Sequence, residues 1–426
     1  MEQKDRVILH CDCNGFFASV ETLLHPELKN VPMAVTGDPE SRHGIILAKN
    51  ELAKSYGVKT AETIYQAKQK CPGLVCVLSH HDEYHRVSKA VNRIYLDYTD
   101  LVDPFGIDES FLDITGSLKL FGLSPKEFAD AIRERVKREI GITISVGVSF
   151  CRVFAKLGSD YKKPDATTVI SRENYRDIAW RLPVSDLLFA GKKTTAALAR
   201  IGVKTIGQLA LCDPKLVFDL LGESGMQLYA YARGEDDAPV RSYYDREEPK
   251  SIGNGMTFRR DISGEHEIRA GVSALCDAVS ARMRNEKKKC LVVQVQIKDP
   301  NFRTVQKQCT LSRSTWLCQE LSETAMQLIR TSYGYSRPIR AITVTAANLV
   351  PCDEVHEQLD IFGENGGDEK QEALEGALAD IRKKFGNASI HLGAYENEDL
   401  GIGAYGKRHV HESGQEKAKN SQNSAE

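Results

Sequence analysis

A chain of 426 residues with 41% hydrophobic and 27% charged residues has the balance of an ordinary soluble protein, long enough for about two to four domains with sizeable cores. No apolar run approaches the ~20 residues that span a bilayer, which excludes a membrane-spanning helix. The net charge is only -2, yet residues 251–348 hold 15 Lys and Arg against 8 Asp and Glu, a local +7 that leaves -9 for the remainder. Such a basic module suits a polyanionic partner, although the solvated face of any domain would read the same way.

The 11 cysteines are odd in number and scattered, and Met1-Glu-Gln-Lys-Asp5 is no signal peptide. Together these point to reduced thiols in a cytoplasmic protein. Cys11 with Cys13, and Cys71 with Cys76, lack a second pair at zinc spacing, and His80, His81 and His85 read as polar helix residues.

In chain order, Val7 to Cys11 is a short apolar run that predicts a buried strand, with Asp12 at its end. A lone buried carboxylate costs several kcal/mol, so Asp12 requires a cation or a cluster of donors. Asn14 is a candidate cap for an apolar-faced helix from Phe16 to Leu24, ended by Pro26. Strands are expected at Val31 to Thr36 and Gly44 to Leu47, helices at Asn50 to Tyr56 and Ala61 to Lys70, and a long amphipathic helix from Tyr84 to Tyr98. Leu101-Val102 and Phe111 to Ile114 form a hairpin around Gly106, with Asp108 and Glu109 side by side. Neighbours on a strand point to opposite faces, so an acid pair converges only at a turn or bulge. Two convergent anions need a proton or a cation, and hard oxygen ligands suit magnesium. An acidic turn in water is the bland alternative. Ser124, Pro125 and Glu127 start a helix that runs to Ile140, and Thr143 to Phe150 alternates as a strand. Residues 171–233 are helical, and Gly234 to Lys250 reads as an acidic linker. A strand-helix-strand-strand-helix-strand order follows: Ile252 to Phe258, Glu265 to Glu286, Leu291 to Lys298, Phe302 to Leu311, Cys318 to Thr331 and Ile339 to Ala346. Lys370 to Phe385 is a candidate short helix, and roughly the last 20–40 residues look disordered.

The motif Asp12-x-x-x-Phe16-Phe17-Ala-Ser-Val-Glu21, joined to Ile107-Asp-Glu-Ser-Phe-Leu-Asp-Ile-Thr115, resembles the Y-family DNA polymerases and within them the bacterial DNA polymerase IV branch. The resemblance runs from residue 7 to about residue 350 and resumes in a short tail motif. It implies an α+β right-hand polymerase: palm at 1–15 and 83–170, small fingers at 16–82, a helical thumb with a helix-hairpin-helix at 171–233, a linker at 234–250, a βαββαβ little finger at 251–348, and a tail at 349–426 that carries a clamp-binding peptide. The local +7 is expected on the DNA-facing sheet of the little finger.

The same resemblance implies a magnesium-dependent polymerase that adds deoxynucleotides to a primer 3′-hydroxyl on a DNA template. It synthesises past lesions with low fidelity and without proofreading. Asp12 and Asp108 are expected to bridge two magnesium ions, with Glu109 completing the primer-side site and Cys13 contributing its backbone carbonyl. Phe17 is the expected steric gate against the ribonucleotide 2′-hydroxyl, and equally a candidate core residue. Phe16 packs beside the nucleotide. Lys54 and Lys163 are expected on the triphosphate, with a plain surface lysine as the other reading of Lys54. Ala48, Glu51 and Gly15 depart from the family pattern at positions where a hydroxyl, a tyrosine and an aromatic ring are usual, and Gly191-Lys192-Lys193 replaces the second glycine of the thumb hairpin. Gln358, Leu359, Ile361 and Phe362 resemble the anchors of a sliding-clamp peptide. The partners are then primer-template DNA, deoxynucleoside triphosphates and the clamp, with the chain a monomer. A non-catalytic DNA-binding scaffold with a decayed palm is the alternative, and a nucleotide cyclase is a second enzymatic rival.

Overall fold

The computed structural model describes residues 5–37, 44–245, 248–353, 366–386, 389–390 and 400. It divides into a first compact unit, residues 1–39 and 43–246, and a second that holds residues 247–426. The first unit runs through β1 (Ile8–Cys13), α1 (Phe16–Leu24), β2 (Met33–Thr36), β3 (Ile46–Lys49), α2 (Glu51–Ser55), α3 (Ile64–Lys70), β4 (Val75–Leu78) and α4 (His81–Leu96). It continues with the hairpin of β5 (Val102–Pro104) and β6 (Glu109–Asp113), then α5 (Leu118–Phe121), α6 (Pro125–Ile140), β7 (Ile144–Ser149), α7 (Arg152–Tyr161) and β8 (Thr167–Ile170). Helices α8 (Tyr175–Ile178), α9 (Lys192–Arg200), α10 (Ile206–Ala210) and α11 (Pro214–Ala232) follow.

The main sheet has the order β5-β6-β1-β7-β8. Strand β1 is antiparallel to both neighbours, whereas β7 and β8 are parallel and joined through α7. The sheet is therefore mixed, and β8 escapes a reading based on alternating hairpins. Side chains alternate along β1. Leu9, Cys11 and Cys13 share a core with Val87 and Val91 of α4 and Phe128 and Ile132 of α6. Ile8 packs with Phe111 and with Ala155 of α7 on the opposite face. His10 and Asp12 belong to that second face.

Two glycines let α7 lie against the sheet. A Cβ on Gly147 would stand 1.8 Å from the carbonyl oxygen of Ala155, and one on Gly158 would stand 2.9 Å from Gly147 Cα. The N-terminus of α7 is covered by the stretch after α11. Val153 N–H donates to the Asp236 carboxylate at 3.2 Å, and Arg6 holds the carbonyl oxygens of Asp236 and Ala238. Residues 234–245, expected in the linker, are thus packed on the first unit.

Local signals fix several helix starts. Ser124 and Glu127 form the expected capping box at α6, and Thr63 with Gln66 forms another, so α3 begins at Ile64 rather than Ala61. The cap of α1 is a correction. It is Gly15, at φ 53 and ψ 43, a left-handed conformation that favours glycine. Asn14 instead donates to Thr143 Oγ1 and accepts from Ser145 Oγ, tying α1 to β7. A second sheet, β3-β2-β4, adjoins α1, α2 and α3. Helices α8 to α11 gather around Leu198, Ile206, Leu209 and Val217. Gly191 precedes α9 in an extended conformation, with Lys192 and Lys193 opening the helix.

The second unit has the expected order: β9 (Ser251–Ile262), α12 (Glu265–Asn285), β10 (Lys288–Lys298), β11 (Thr304–Thr315), α13 (Cys318–Ser332) and β12 (Ile339–Pro351). They form an antiparallel sheet of order β11-β10-β12-β9. Val293, Val295, Ile297, Ile342, Val344 and Ala346 pack on α12 and α13. Alternation then fixes the open face, where cross-strand rows read Gly255–Thr343–Gln296–Gln306 and Gly253–Thr345–Gln294–Gln308. This open face is polar and nearly uncharged, with Lys298 and Arg259 at its margin. The expected concentration of the +7 there is not met. Arg282, Arg284, Lys287, Lys288 and Lys289 instead cluster around the turn from α12 to β10. Helix α14 (Gly366–Phe385) docks on α12 and α13. Its buried Glu375 accepts the Cys318 N–H at 3.0 Å, capping α13, and pairs with Arg284.

Candidate active site

Asp12 and Glu109 are register partners across β1 and β6, and partners in an antiparallel pair share a face. That face is the one that α7 covers. Asp108 sits in the turn just before β6, and its carbonyl oxygen accepts the Cys13 N–H at 3.0 Å, folding the turn back over the end of β1. The register sets Glu109 directly against Asp12, and Asp108 stands next to them in the turn, close enough to feel the charge of both. Asp12 is only 5% exposed.

Cations from α7 and the segment after it neutralise the acids. Lys156 Nζ lies 2.9 Å from Glu109 Oε2 and 3.3 Å from Asp12 Oδ2. Lys163 Nζ lies 2.7 Å from Asp12 Oδ2 and 2.7 Å from Asp160 Oδ1. Burial opposes the charge on both lysines, but the facing carboxylates outweigh it and raise their pKa values. His10, wholly buried, bridges Glu109 Oε2 at 3.1 Å and Ser159 Oγ at 2.8 Å. Burial holds the His10 pKa below its ordinary value. Burial also works to raise Glu109, but the hydrogen bond from His10 and the charge of Lys156 prevail and hold it at about 2. Asp108 lacks such partners: burial, then the charges of Asp12 and Glu109, push it to about 6.

The ligand atoms of His10, Asp12 and Glu109 lie within 4.8 Å of one another. The carboxylate oxygens of Asp12 and Glu109 are hard ligands that suit a divalent cation, with Asp108 beside them. The Cys13 thiol is fully buried and its pKa is raised well above the ordinary value by burial, so its side chain is inert.

The other expected residues divide. Phe16 is buried in the core. Phe17 is half-buried and stacks on Tyr84 with ring centroids 4.2 Å apart. Lys54 is half-exposed and pairs with Glu51 at 3.2 Å. Gln358, Leu359, Ile361 and Phe362 lie outside the described residues. His10, Lys156 and Ser159 were not singled out from the sequence. The signals were present: His10 shares the Asp12 face by the two-residue strand period, and Lys156, Asp160 and Lys163 recur at i, i+4 and i+7.

Most of the chain matches known proteins. The impB/mucB/samB family model matches residues 11–160, and the model of that family's C-terminal domain matches residues 249–361. A protein named DNA polymerase IV from Acetivibrio thermocellus is 44% identical over 389 residues, covering 91% of this chain and 97% of the relative. DNA polymerase IV 1 of Bacillus subtilis is 34% identical over 397 residues, covering 92% and 94% respectively. Among solved structures, a Y-family DNA polymerase chimera superposes with a TM-score of 0.70 at 20% identity, covering 81% of this chain and 99% of its own. Asp12 set against Glu109 on one sheet, a βαββαβ second unit and matches that cover 91–92% of the chain agree, and the chain belongs to the DNA polymerase IV branch of the Y-family DNA polymerases.

Proposed function

We propose that this chain is a translesion DNA polymerase, extending a primer on a DNA template from deoxynucleoside triphosphates. The reading rests above all on the register that sets Asp12 against Glu109 with Asp108 one residue away. The main sheet with α4, α6 and α7 serves as palm, α1 to α3 with the second sheet as fingers, α8 to α11 as thumb, and the βαββαβ unit as little finger. Two divalent cations, magnesium by the hardness of the ligands, would stabilise the attacking and leaving oxygens when bound.

Asp12 and Asp108 would hold both ions, Glu109 the primer-side one, and Cys13 would offer its carbonyl. His10 fixes the Glu109 carboxylate from behind. Lys163 is the cation assigned to the triphosphate, and Phe17 the ring that excludes a 2′-hydroxyl. Lys54 and Phe16 take supporting places beside the nucleotide. Gln358 to Phe362 is assigned to a sliding clamp, and the chain to the cytoplasm as a monomer. A decayed scaffold is disfavoured because Asp12, Asp108 and Glu109 all stand.

Primer extension past a defined lesion, with and without magnesium, tests the proposal. The intact chain should extend only with the metal, and Asp108→Ala should lose turnover by orders of magnitude while still binding DNA, because catalysis here is positioning and charge neutralisation. Extension by Asp108→Ala at the intact rate, or DNA binding without extension by the intact chain, would refute it.

A further inference from the structure

Glu21 is a buried carboxylate that the chemistry above does not use. It is wholly buried, as is Tyr84. Burying a carboxylate is costly unless donors meet it, and two do. The Tyr84 hydroxyl donates to Glu21 Oε1, and His80 Nδ1 lies 2.9 Å from the same oxygen and 3.2 Å from Oε2. A carboxylate only accepts, so that ring nitrogen carries the proton.

The helix spacing explains the arrangement. Phe17 and Glu21 are one turn apart on α1, and His80 and Tyr84 are one turn apart at the start of α4. Residues four apart share a helix face, so the two faces meet in two layers. In one, the rings of Phe17 and Tyr84 stack at 4.2 Å with an interplanar angle of 13°. In the other, Glu21 receives the far end of Tyr84 and the imidazole of His80. His81 closes the side, edge-on to Phe17 at 5.7 Å and to Tyr84 at 5.5 Å. Phe17 is half-buried, so its ring owes its orientation to the Tyr84 face, and Tyr84 owes its own to Glu21.

We propose that Glu21 is a positioning residue for sugar selection: by anchoring the Tyr84 hydroxyl it fixes the ring on which Phe17 stacks, and so sets how closely Phe17 approaches the sugar. The proposal rests on the reading of Phe17 as the gate. A ring that excludes one hydroxyl works by a clearance of an ångström or less, and rotation of its neighbour relaxes that clearance without removing the ring.

Single-nucleotide insertion by the full chain, comparing kcat/KM for a deoxynucleotide and its ribonucleotide, reads the effect. Tyr84→Phe keeps the stack and removes the anchor, and Glu21→Ala removes the acceptor. Each should reduce the preference for the deoxynucleotide about tenfold, the worth of one hydrogen bond to a charged group. Glu21→Gln, which still accepts from Tyr84, should retain most of it. Added to Phe17→Ala, the same changes should do nothing further, because they act through that ring. If Glu21→Ala does not fold, Tyr84→Phe decides alone. Unchanged selectivity in Tyr84→Phe, with Phe17→Ala permissive, overturns the proposal and leaves the gate standing. An equal loss on the Phe17→Ala background also overturns it. Unchanged selectivity in Phe17→Ala itself removes the gate, and the proposal with it.

Discussion

Gly147→Ala should displace α7 from the sheet and separate the lysines from the acids. Gly147 is the register partner of His10 in β7, so an added Cβ would point at α7. It would stand 1.8 Å from Ala155 O, 2.4 Å from Ser159 N and 2.8 Å from Gly158 C, all backbone atoms that cannot swing aside. Restoring ordinary contact at about 3.5 Å requires α7 to withdraw by roughly 1.5 Å. Overpacking of this kind costs about 3 kcal/mol, which lowers the Tm of a unit this size by roughly 6–12 °C. Lys156 and Ser159 ride on α7. Their contacts with Glu109 at 2.9 Å and His10 at 2.8 Å would open beyond hydrogen-bond reach, and misplacement by ~1 Å costs about a hundredfold in rate. Gly158→Ala meets Gly147 Cα at 2.9 Å and Thr168 O at 3.2 Å, and it gains up to ~1 kcal/mol of helix propensity, so it should be milder. Differential scanning calorimetry and primer-extension kcat/KM on both variants check this. A Gly147→Ala protein with unchanged Tm and rate, or one less damaged than Gly158→Ala, refutes the close-approach argument.

Lys156→Met removes the ammonium shared by Glu109 and Asp12, breaking a largely buried ion pair at about 3–5 kcal/mol. In chelator its Tm should fall, but magnesium should raise that Tm more than it raises the parent's, since one competing positive charge is gone; equal shifts would count against it. Asp108 gives a pH signature in the metal-free protein. Its pKa is raised to about 6, so stability is highest below the unfolded value near 4 and falls as pH rises to 6, by on the order of 2–3 kcal/mol. Asp108→Asn should abolish that fall and be more stable than the parent at pH 7. Glu109, held at about 2, acts in the opposite sense between about pH 2 and 4.5, so the two windows separate in an acid titration followed by circular dichroism. Glu375→Ala removes the cap on α13 and leaves Arg284 buried without its partner, so hydrogen exchange at the Cys318 amide should accelerate strongly; unchanged protection would show that α14 does not hold α13.

Features set by neighbours in sequence were legible. The capping box at Ser124, the strand that ends at Asp12 and the strand-helix order of the second unit follow from spacing within a few residues, and they came out nearly as read. The meeting of Asp12 with Glu109 was legible because an apolar run ending in an acid, and an acid pair at a turn, each carry a cost that calls for a partner, and here Lys156 and Lys163 also supply it. Features set by crossovers were hidden. The parallel strands β4 and β8 find their partners only after a helix returns the chain. Gly15 replaces Asn14 as the cap of α1 because Asn14 is drawn to Thr143 and Ser145 of a strand that arrives far later.

Charge placement follows the same rule with a sharper consequence. A sum over residues 251–348 gives +7, but alternation assigns each strand residue to a face, and the central rows facing away from α12 and α13 are glutamine, threonine and glycine, with Lys298 and Arg259 only at the margin. The open sheet is lined by hydroxyl and amide groups, and Gly253 and Gly255 lie so close to Thr345 and Thr343 that a Cβ would meet their hydroxyls at 2.6 and 2.4 Å. Five of the fifteen arginines and lysines sit instead where α12 turns into β10, where Lys288 pairs with Glu248 and Lys289 with Glu372. Each basic residue held by an acid is one counterion fewer to release on binding DNA, since that release counts phosphates neutralised rather than formal charge. The net charge of a module therefore bounds its grip on a polyanion from above, and the register of its strands decides how much of that bound is reached.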